Sequence, residues 1–311
     1  MQMEYTVKPA EEGRRVREIL RGSMRISYSA MKSAKWNGRI LKNGEPVFVD
    51  QRVRAGEVLC VTWPDETPVY RTEPWHVELN IPWMDEHLMI VDKPAPMASQ
   101  SSAGHPGNSL ENAVFAYLGC PEQFIYRPVN RLDRGTSGLM VIARDAWTQD
   151  QLQRALHTEE FRREYVAMTE GVPDPAEGII DAPIAKEEAA SVRRIVTPSG
   201  RPARTEYRVI ASGKGRAMVR LRLYTGRTHQ IRVHLSAIGC PVCGDFLYGN
   251  ELPEEFPGRF ALHSTMLELR HPVSGEMIHL ESEAPFSLFT SGSAPSHSRY
   301  PEKPPKSGSL P

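Results

Sequence analysis

One carboxylate in this chain is framed for chemistry. Asp133 lies between Arg131 and Arg134 in the run Arg127-Pro128-Val129-Asn130-Arg131-Leu132-Asp133-Arg134-Gly135-Thr136-Ser137-Gly138-Leu139. Two guanidinium groups so close in sequence favour the ionised acid, and the glycines let a substrate approach the backbone. Taken alone, such a run reads as a salt bridge within a loop. A second segment carries two arginines and two histidines: Tyr224-Thr225-Gly226-Arg227-Thr228-His229-Gln230-Ile231-Arg232-Val233-His234-Leu235. Here Thr228 is expected to cap a helix whose apolar side is Ile231, Leu235 and Ile238, closed by Gly239. Arg227 then stands at a helix N-terminus, where backbone N–H groups favour anions, and can pair with a carboxylate or a phosphate. His229 and His234 read as structural, because their spacing is not His-Glu-x-x-His and no acid separates them. Cys240 and Cys243 form a lone Cys-Pro-Val-Cys, half of a zinc site without its second half. They are expected to be reduced and buried, and no metal site is expected.

The elements that must position these residues follow from periodicity and caps. Leu88 to Val91 is a short buried strand, and Leu139 to Ala143 another. Asn108 or Ser109 is expected to cap a helix through Leu118, and Asp145 a helix from Ala146 to His157. Val219, Leu221 and Leu223 alternate with Arg220 and Arg222, predicting a strand with one charged face. Upstream, a helix over Arg14 to Arg21 precedes a second one that Ser27 caps and that runs through Lys35. A strand to Lys42 then ends at the Asn43-Gly44 turn, and Arg54 to Glu57 turns again before a strand from Val58 to Thr62.

Charge is balanced overall, with 38 basic and 38 acidic residues. Its distribution is uneven. From Gly13 to Arg54 eleven Lys and Arg face three acids, a net of +8; from Ser191 to Arg232 eleven face only Glu206, a net of +10. Two basic blocks in a neutral chain suggest a surface that neutralises phosphates. A chain of 311 residues exceeds one average domain. It shows no apolar run of roughly 18 residues for a membrane helix and no signal-peptide pattern. A soluble, cytoplasmic protein is therefore expected.

The Asp133 segment resembles the signature of the RluA family of RNA pseudouridine synthases, His-Arg-Leu-Asp-x-x-Thr-Ser-Gly-Leu, with Asn130 in place of the histidine and Gly135 at a position often acidic. Other segments match in order. Met84 to Pro94 is similar to the family's opening strand, and Phe161 to Ala167 to its Lys-x-Tyr-x-Ala strand, with Arg163 for lysine. Thr225 to Leu235 matches its Thr-Gly-Arg-Thr-His-Gln-Ile-Arg-Val-His-Leu at every position. Gly239 to Gly249, then Ala261-Leu262-His263 with His271-Pro272, complete the set. The resemblance covers roughly residues 79–289. Residues 1–64 resemble, as an ordered set, the αL RNA-binding motif of a small-subunit ribosomal protein.

The resemblance implies an α+β fold: a mixed, largely antiparallel sheet in two halves with a central cleft, preceded by a small α/β RNA-binding domain. The expected boundaries are 1–64 for that domain, 65–78 for a linker, 79–290 for the catalytic domain and 291–311 for a disordered tail. It implies that Asp133 is the catalytic carboxylate, Tyr165 stacks on the target base, Arg227 is the ion-pair partner of Asp133, and Arg131, Leu132 and Leu262 line the pocket. Arg14, Arg21, Lys32, Lys35, Arg39, Arg134, Arg220, Arg222 and Arg232 are the expected RNA contacts.

The implied reaction breaks the bond from ribose to nitrogen 1 of uracil and rejoins the base through carbon 5. It is redox-neutral and uses no phosphate donor. No cofactor is expected, consistent with the lack of dinucleotide and phosphate-loop motifs. The expected partner is ribosomal or transfer RNA, with ribosomal RNA favoured; no obligatory protein partner is expected and a monomer is the default. Two rivals use the same residues: a non-catalytic RNA-binding or ribosome-assembly factor, and a nucleosidase that releases free uracil.

Overall fold

Residues 2–63, 68, 71–102 and 104–288 are described by the computed structural model. Four separate sets of buried apolar side chains organise them, the first within residues 7–61 and the other three from residue 88 onward. Val16, Ile19 and Leu20, spaced for one helix face, join Met31, Ala34, Ile40, Leu59 and Val61 in the first. Its elements are β1 (Gln2–Thr6), α1 (Val16–Arg21), α2 (Tyr28–Asn37), β2 (Arg39–Lys42), β3 (Glu45–Pro46) and β4 (Val58–Thr62). The strands pair in the order β1-β4-β2-β3. Ser27 caps α2, its hydroxyl accepting from the Ala30 N–H at 3.1 Å. Asn43 and Gly44 both adopt positive φ at the β2–β3 turn, as a two-residue hairpin requires.

The larger unit runs through β5 (Asn80–Met84), β6 (Leu88–Lys93), α3 (Leu110–Tyr117), β7 (Arg127–Pro128), β8 (Ser137–Ala143), α4 (Ala146–Ala155) and β9 (Phe161–Glu170). It continues with β10 (Glu177–Asp181), β11 (Ile184–Lys186), β12 (Arg194–Val196), β13 (Arg204–Gly213), β14 (Arg216–Leu223), α5 (Gln230–Ala237), β15 (Leu262–Arg270) and β16 (Met277–Glu281). One sheet of ten strands follows the order β10-β13-β14-β9-β15-β8-β6-β5, with β16 added to β15 and β7 to β8; β11 and β12 form a separate hairpin. The expected largely antiparallel α+β fold is found. The β15–β8 pairing is parallel and spans only His263–Ser137 and Ser264–Gly138. The two halves of the sheet meet at that seam. Gly138 has φ +109°, and a Cβ there would lie 2.3 Å from the Ser264 carbonyl oxygen, so the approach needs glycine.

Asp145 caps α4 by accepting from the Thr148 N–H at 2.8 Å, and Ser109 precedes α3. The first two turns of α4 also tie the two units together. Trp147 Nε1 donates to the Met24 carbonyl at 3.2 Å and Gln151 Nε2 to the Arg25 carbonyl at 2.8 Å. Residues 65–67, 69 and 70 of the expected linker and the whole expected tail fall outside the described residues. No helix among the described residues is long and apolar enough to cross a membrane.

Candidate active site

The seam between the half-sheets explains why residues far apart in sequence converge. Asp133 lies in the loop before β8. In register across β15, Ser264 faces Tyr165 of β9, and Leu262 begins β15 itself. A cleft there is lined by Arg131, Leu132, Asp133, Tyr165, Arg227 and Leu262, together with Thr136, His229 and Arg232. All six residues assigned from sequence to catalysis or to the pocket therefore border one cleft.

The Asp133 loop is held from behind. Ser99 Oγ accepts from the Leu132 N–H at 3.1 Å and donates to the Leu132 carbonyl at 2.6 Å, and Met97 N–H donates to the Arg134 carbonyl at 3.0 Å. Lys93, wholly buried, anchors that strap through Nζ to the carbonyls of Pro94 and Met97 at 3.0 and 2.8 Å. Burial pushes its ammonium down to about 7, while the Asp133 charge pulls the other way. Asn130, which departs from the family pattern, points away from the cleft and accepts from the Val141 N–H at 2.9 Å. A Cβ on Gly135 would stand 2.5 Å from the Phe260 ring, so an acidic side chain there would displace that ring.

The partner of Asp133 is Arg232. Arg232 Nη1 donates to Asp133 Oδ2 at 2.9 Å, while Nε and Nη2 donate to the two oxygens of Asp245 at 2.6 and 2.8 Å. The Phe260 ring lies 4.2 Å and the Tyr248 ring 5.0 Å from the guanidinium carbon. Burial alone would lower the Arg232 pKa; the Asp245 hydrogen bonds and the Asp133 charge more than offset it and raise it. Arg232 is 3% exposed and Asp245 fully buried, whereas the Asp133 side chain keeps 27% exposure toward the cleft. A fixed cation thus holds a reachable anion.

This corrects two expectations. Arg227 is not the ion-pair partner: its Nε donates to the Pro202 carbonyl at 2.8 Å and it borders the cleft. Arg232 is not a surface contact for RNA. Both errors come from the start of α5. Thr228 is not its cap; the helix begins at Gln230 after His229 in the left-handed region, φ 58°. The Gln230 side chain replaces the expected hydroxyl, its Oε1 accepting from the Arg227 N–H at 3.0 Å and the Thr225 hydroxyl at 2.9 Å. The first turn consequently faces inward, and residues 230–235 are all buried. Of the apolar side expected from sequence, Ile231 and Leu235 are buried but Ile238 is 38% exposed.

His234 is structural, bonded to Thr205 Oγ1 and the Ala182 carbonyl at 2.8 and 2.9 Å. His229 Nδ1 is bonded to the Tyr248 hydroxyl at 2.9 Å, and its Nε2 lies 3.9 Å from Asp133 Oδ2. Cys240 and Cys243 are reduced and buried. Among the proposed RNA contacts, Arg14, Arg21, Lys32, Lys35, Arg39, Arg134 and Arg220 are exposed. Arg220 and Arg222 face acids from β9 and the turn before it: Arg220 is 3.8 Å from Glu164, and Arg222 Nη2 donates to both oxygens of Glu159 at 2.7 and 2.8 Å.

A two-half sheet with an acid–arginine pair in a cleft at its seam defines a class that comparison with known proteins makes specific. The family described as RNA pseudouridylate synthase matches residues 87–237. The chain is 36% identical over 268 residues to a protein of Bacillus subtilis (strain 168) named as an uncharacterized RNA pseudouridine synthase, YjbO, covering 85% of this chain and 93% of that one. It is 35% identical over 302 residues to ribosomal large subunit pseudouridine synthase D of Escherichia coli (strain K12), covering 92% and 91%. The solved structure of human RNA pseudouridylate synthase domain containing 1 aligns with a TM-score of 0.55 at 25% identity, over 68% of this chain and 85% of that one. The chain belongs to the RluA family of RNA pseudouridine synthases. It is an isomerase acting on RNA.

Proposed function

We propose that the enzyme converts one or more uridines of structured ribosomal RNA to pseudouridine, with Asp133 as its essential carboxylate. The observation that carries this reading is the Asp133–Arg232 pair at 2.9 Å, opening onto a cleft walled by Tyr165 and Leu262. The reaction needs an anion beside the sugar–base linkage when the bond from C1′ to N1 breaks and its electron pair leaves with the base. Arg232 pairs with Asp133 and aims it, and Asp245 keeps Arg232 paired while the charge on Asp133 is consumed. Without that second acid, a buried guanidinium would be stranded, at a cost of several kcal/mol. Tyr165 and Leu262 offer flat and apolar surfaces to the detached base. The base then turns, C5 bonds to C1′, the C5 proton departs and N1 takes up a proton. Atoms and electrons balance without a cofactor.

A uridine within folded RNA must leave its stack to reach this cleft, at a cost of a few kcal/mol. Phosphate contacts by Arg14, Arg21, Lys32, Lys35 and Arg39 of the N-terminal unit, an αL-type RNA-binding module, offset that cost. A ribosomal target is supported by relatives named for the large ribosomal subunit, and a cytoplasmic location is consistent with such a target. The cleft is built within one chain, so a monomer suffices.

Asp133→Asn is isosteric and removes the charge. Turnover, read as tritium released from C5-labelled uridine in ribosomal RNA, should vanish while RNA affinity stays within a few-fold. Residual turnover in a clean preparation of that variant would sink the assignment.

A further inference from the structure

We propose that His229 is a further catalytic residue, a neutral imidazole whose Nε2–H hydrogen-bonds a carbonyl oxygen of the uracil as it carries negative charge between leaving N1 and rejoining through C5. The inference rests on Asp133 being the carboxylate of this cleft. Placement, tautomer and backbone conformation carry it.

The first is placement. His229 borders the cleft, with Nε2 3.9 Å from Asp133 Oδ2. That separation is too long for a hydrogen bond to the acid. Among the described residues only Nδ1 of this ring has a hydrogen-bond partner. Nε2 thus has no hydrogen-bond partner among the described residues and stands at a cleft wall beside the Asp133 carboxylate.

The second is the tautomer. Nδ1 lies 2.9 Å from the Tyr248 hydroxyl, and that hydroxyl oxygen accepts the Arg194 backbone N–H at 2.8 Å. Among the described residues Nδ1 is the one acceptor in reach of the Tyr248 hydroxyl proton, so we assign that proton to Nδ1, which leaves the ring proton on Nε2. Burial lowers the His229 pKa; the Asp133 charge opposes this and Arg232 adds to it. The ring is thereby kept neutral, a donor that cannot form a competing ion pair with Asp133.

The third is backbone conformation. His229 holds φ 58° and ψ 18° as the N-cap of α5, and its side chain makes no cap hydrogen bond. A β-carbon residue in the left-handed region is strained, and such strain gathers where a side chain must be aimed. Here the turn directs the imidazole into the cleft instead of along the helix.

The leaving uracil carries its electron pair on N1 and, by resonance, on its carbonyl oxygens. A donor already oriented toward that charge stabilises it without reorganisation. No proton need transfer, so His229 is regenerated unchanged.

The test uses the full-length enzyme with C5-tritiated ribosomal RNA. His229→Phe fills the space without a donor and should lower kcat roughly 100-fold with KM within about threefold. His229→Asn tolerates positive φ and retains an N–H donor; it should stay within about tenfold of the parent. Tyr248→Phe breaks the link to Arg194 yet keeps the imidazole, and should cost no more than about fivefold. Wild-type kcat in His229→Phe would overturn the proposal, as would a Tyr248→Phe loss equal to that of His229→Phe, which would make His229 a pin for the β11–β12 hairpin. Should His229→Phe not fold, nitrogen NMR of the wild-type ring decides: an Nδ1–H tautomer overturns the assignment. Asp133→Asn is run in parallel. Its inactivity alongside a fully active His229→Phe would remove only this inference, whereas its activity would remove the reading beneath it.

Discussion

The two basic blocks, nearly equal in sequence at +8 and +10, meet different fates in the folded chain. In the N-terminal unit Arg21, Arg25, Lys32, Lys35 and Arg39 are exposed, and among the described residues no carboxylate lies within 4 Å of them. Their positive potential is available to a polyanion. In the block from 191 to 232, Arg208, Arg216, Arg220 and Arg222 face Glu177, Glu255, Glu164 and Glu159, and Arg232 is buried on two aspartates. The larger sequence charge thus yields the less available one. Net charge along a chain measures what a surface can offer only when folding brings no opposite charge against it.

Breaking this contrast should give effects of very different size. Arg232→Met should cost the most, a loss on the order of 1000-fold in kcat/KM, because a preorganised charge is removed from a partly dry site. The slope of RNA affinity against salt should not change; a flattened slope would return Arg232 to the phosphate-binding set. Lys32→Glu with Lys35→Glu should come next. If each lysine neutralises one phosphate, the log–log salt slope should fall by about 2 and affinity weaken substantially at low salt, with kcat at saturating RNA retained. An unchanged slope would show that α2 does not meet RNA. Arg222→Ala should do least. Its exposed pair with Glu159 is worth at most about 1 kcal/mol, so a melting curve should barely move, and a large destabilisation would mean that the pair organises β14 and β9.

Much of the site was legible before the fold. The Asp133 loop, Tyr165, Leu132 and Leu262 were named from motifs and all border the cleft. The caps at Ser27 and Asp145 were readable because a short polar side chain satisfies N–H groups two or three residues away, an interaction set by local geometry. Arg227 against Arg232 was not readable in this way. Both arginines follow the same Thr-Gly turn, and which one reaches Asp133 depends on where α5 starts. Gln230 and the left-handed His229 settled that against Thr228. A signal was present in Asp245: an acid in a Gly-Asp turn thirteen residues after Arg232, buried beyond what a loop acid tolerates without a cation.

By itself the sequence determined most of the elements and the caps at Ser27 and Asp145, and it singled out Asp133, since each depends on neighbours within a few positions. The tertiary structure alone decided which cation holds that acid, which basic side chains remain free, and that His229 turns its ring toward the cleft. Those outcomes depend on groups brought together across 13 to 99 positions of chain. Charge and hydrogen bonding act through space, and only the meeting of the half-sheets at β8 and β15 sets the distances over which they act.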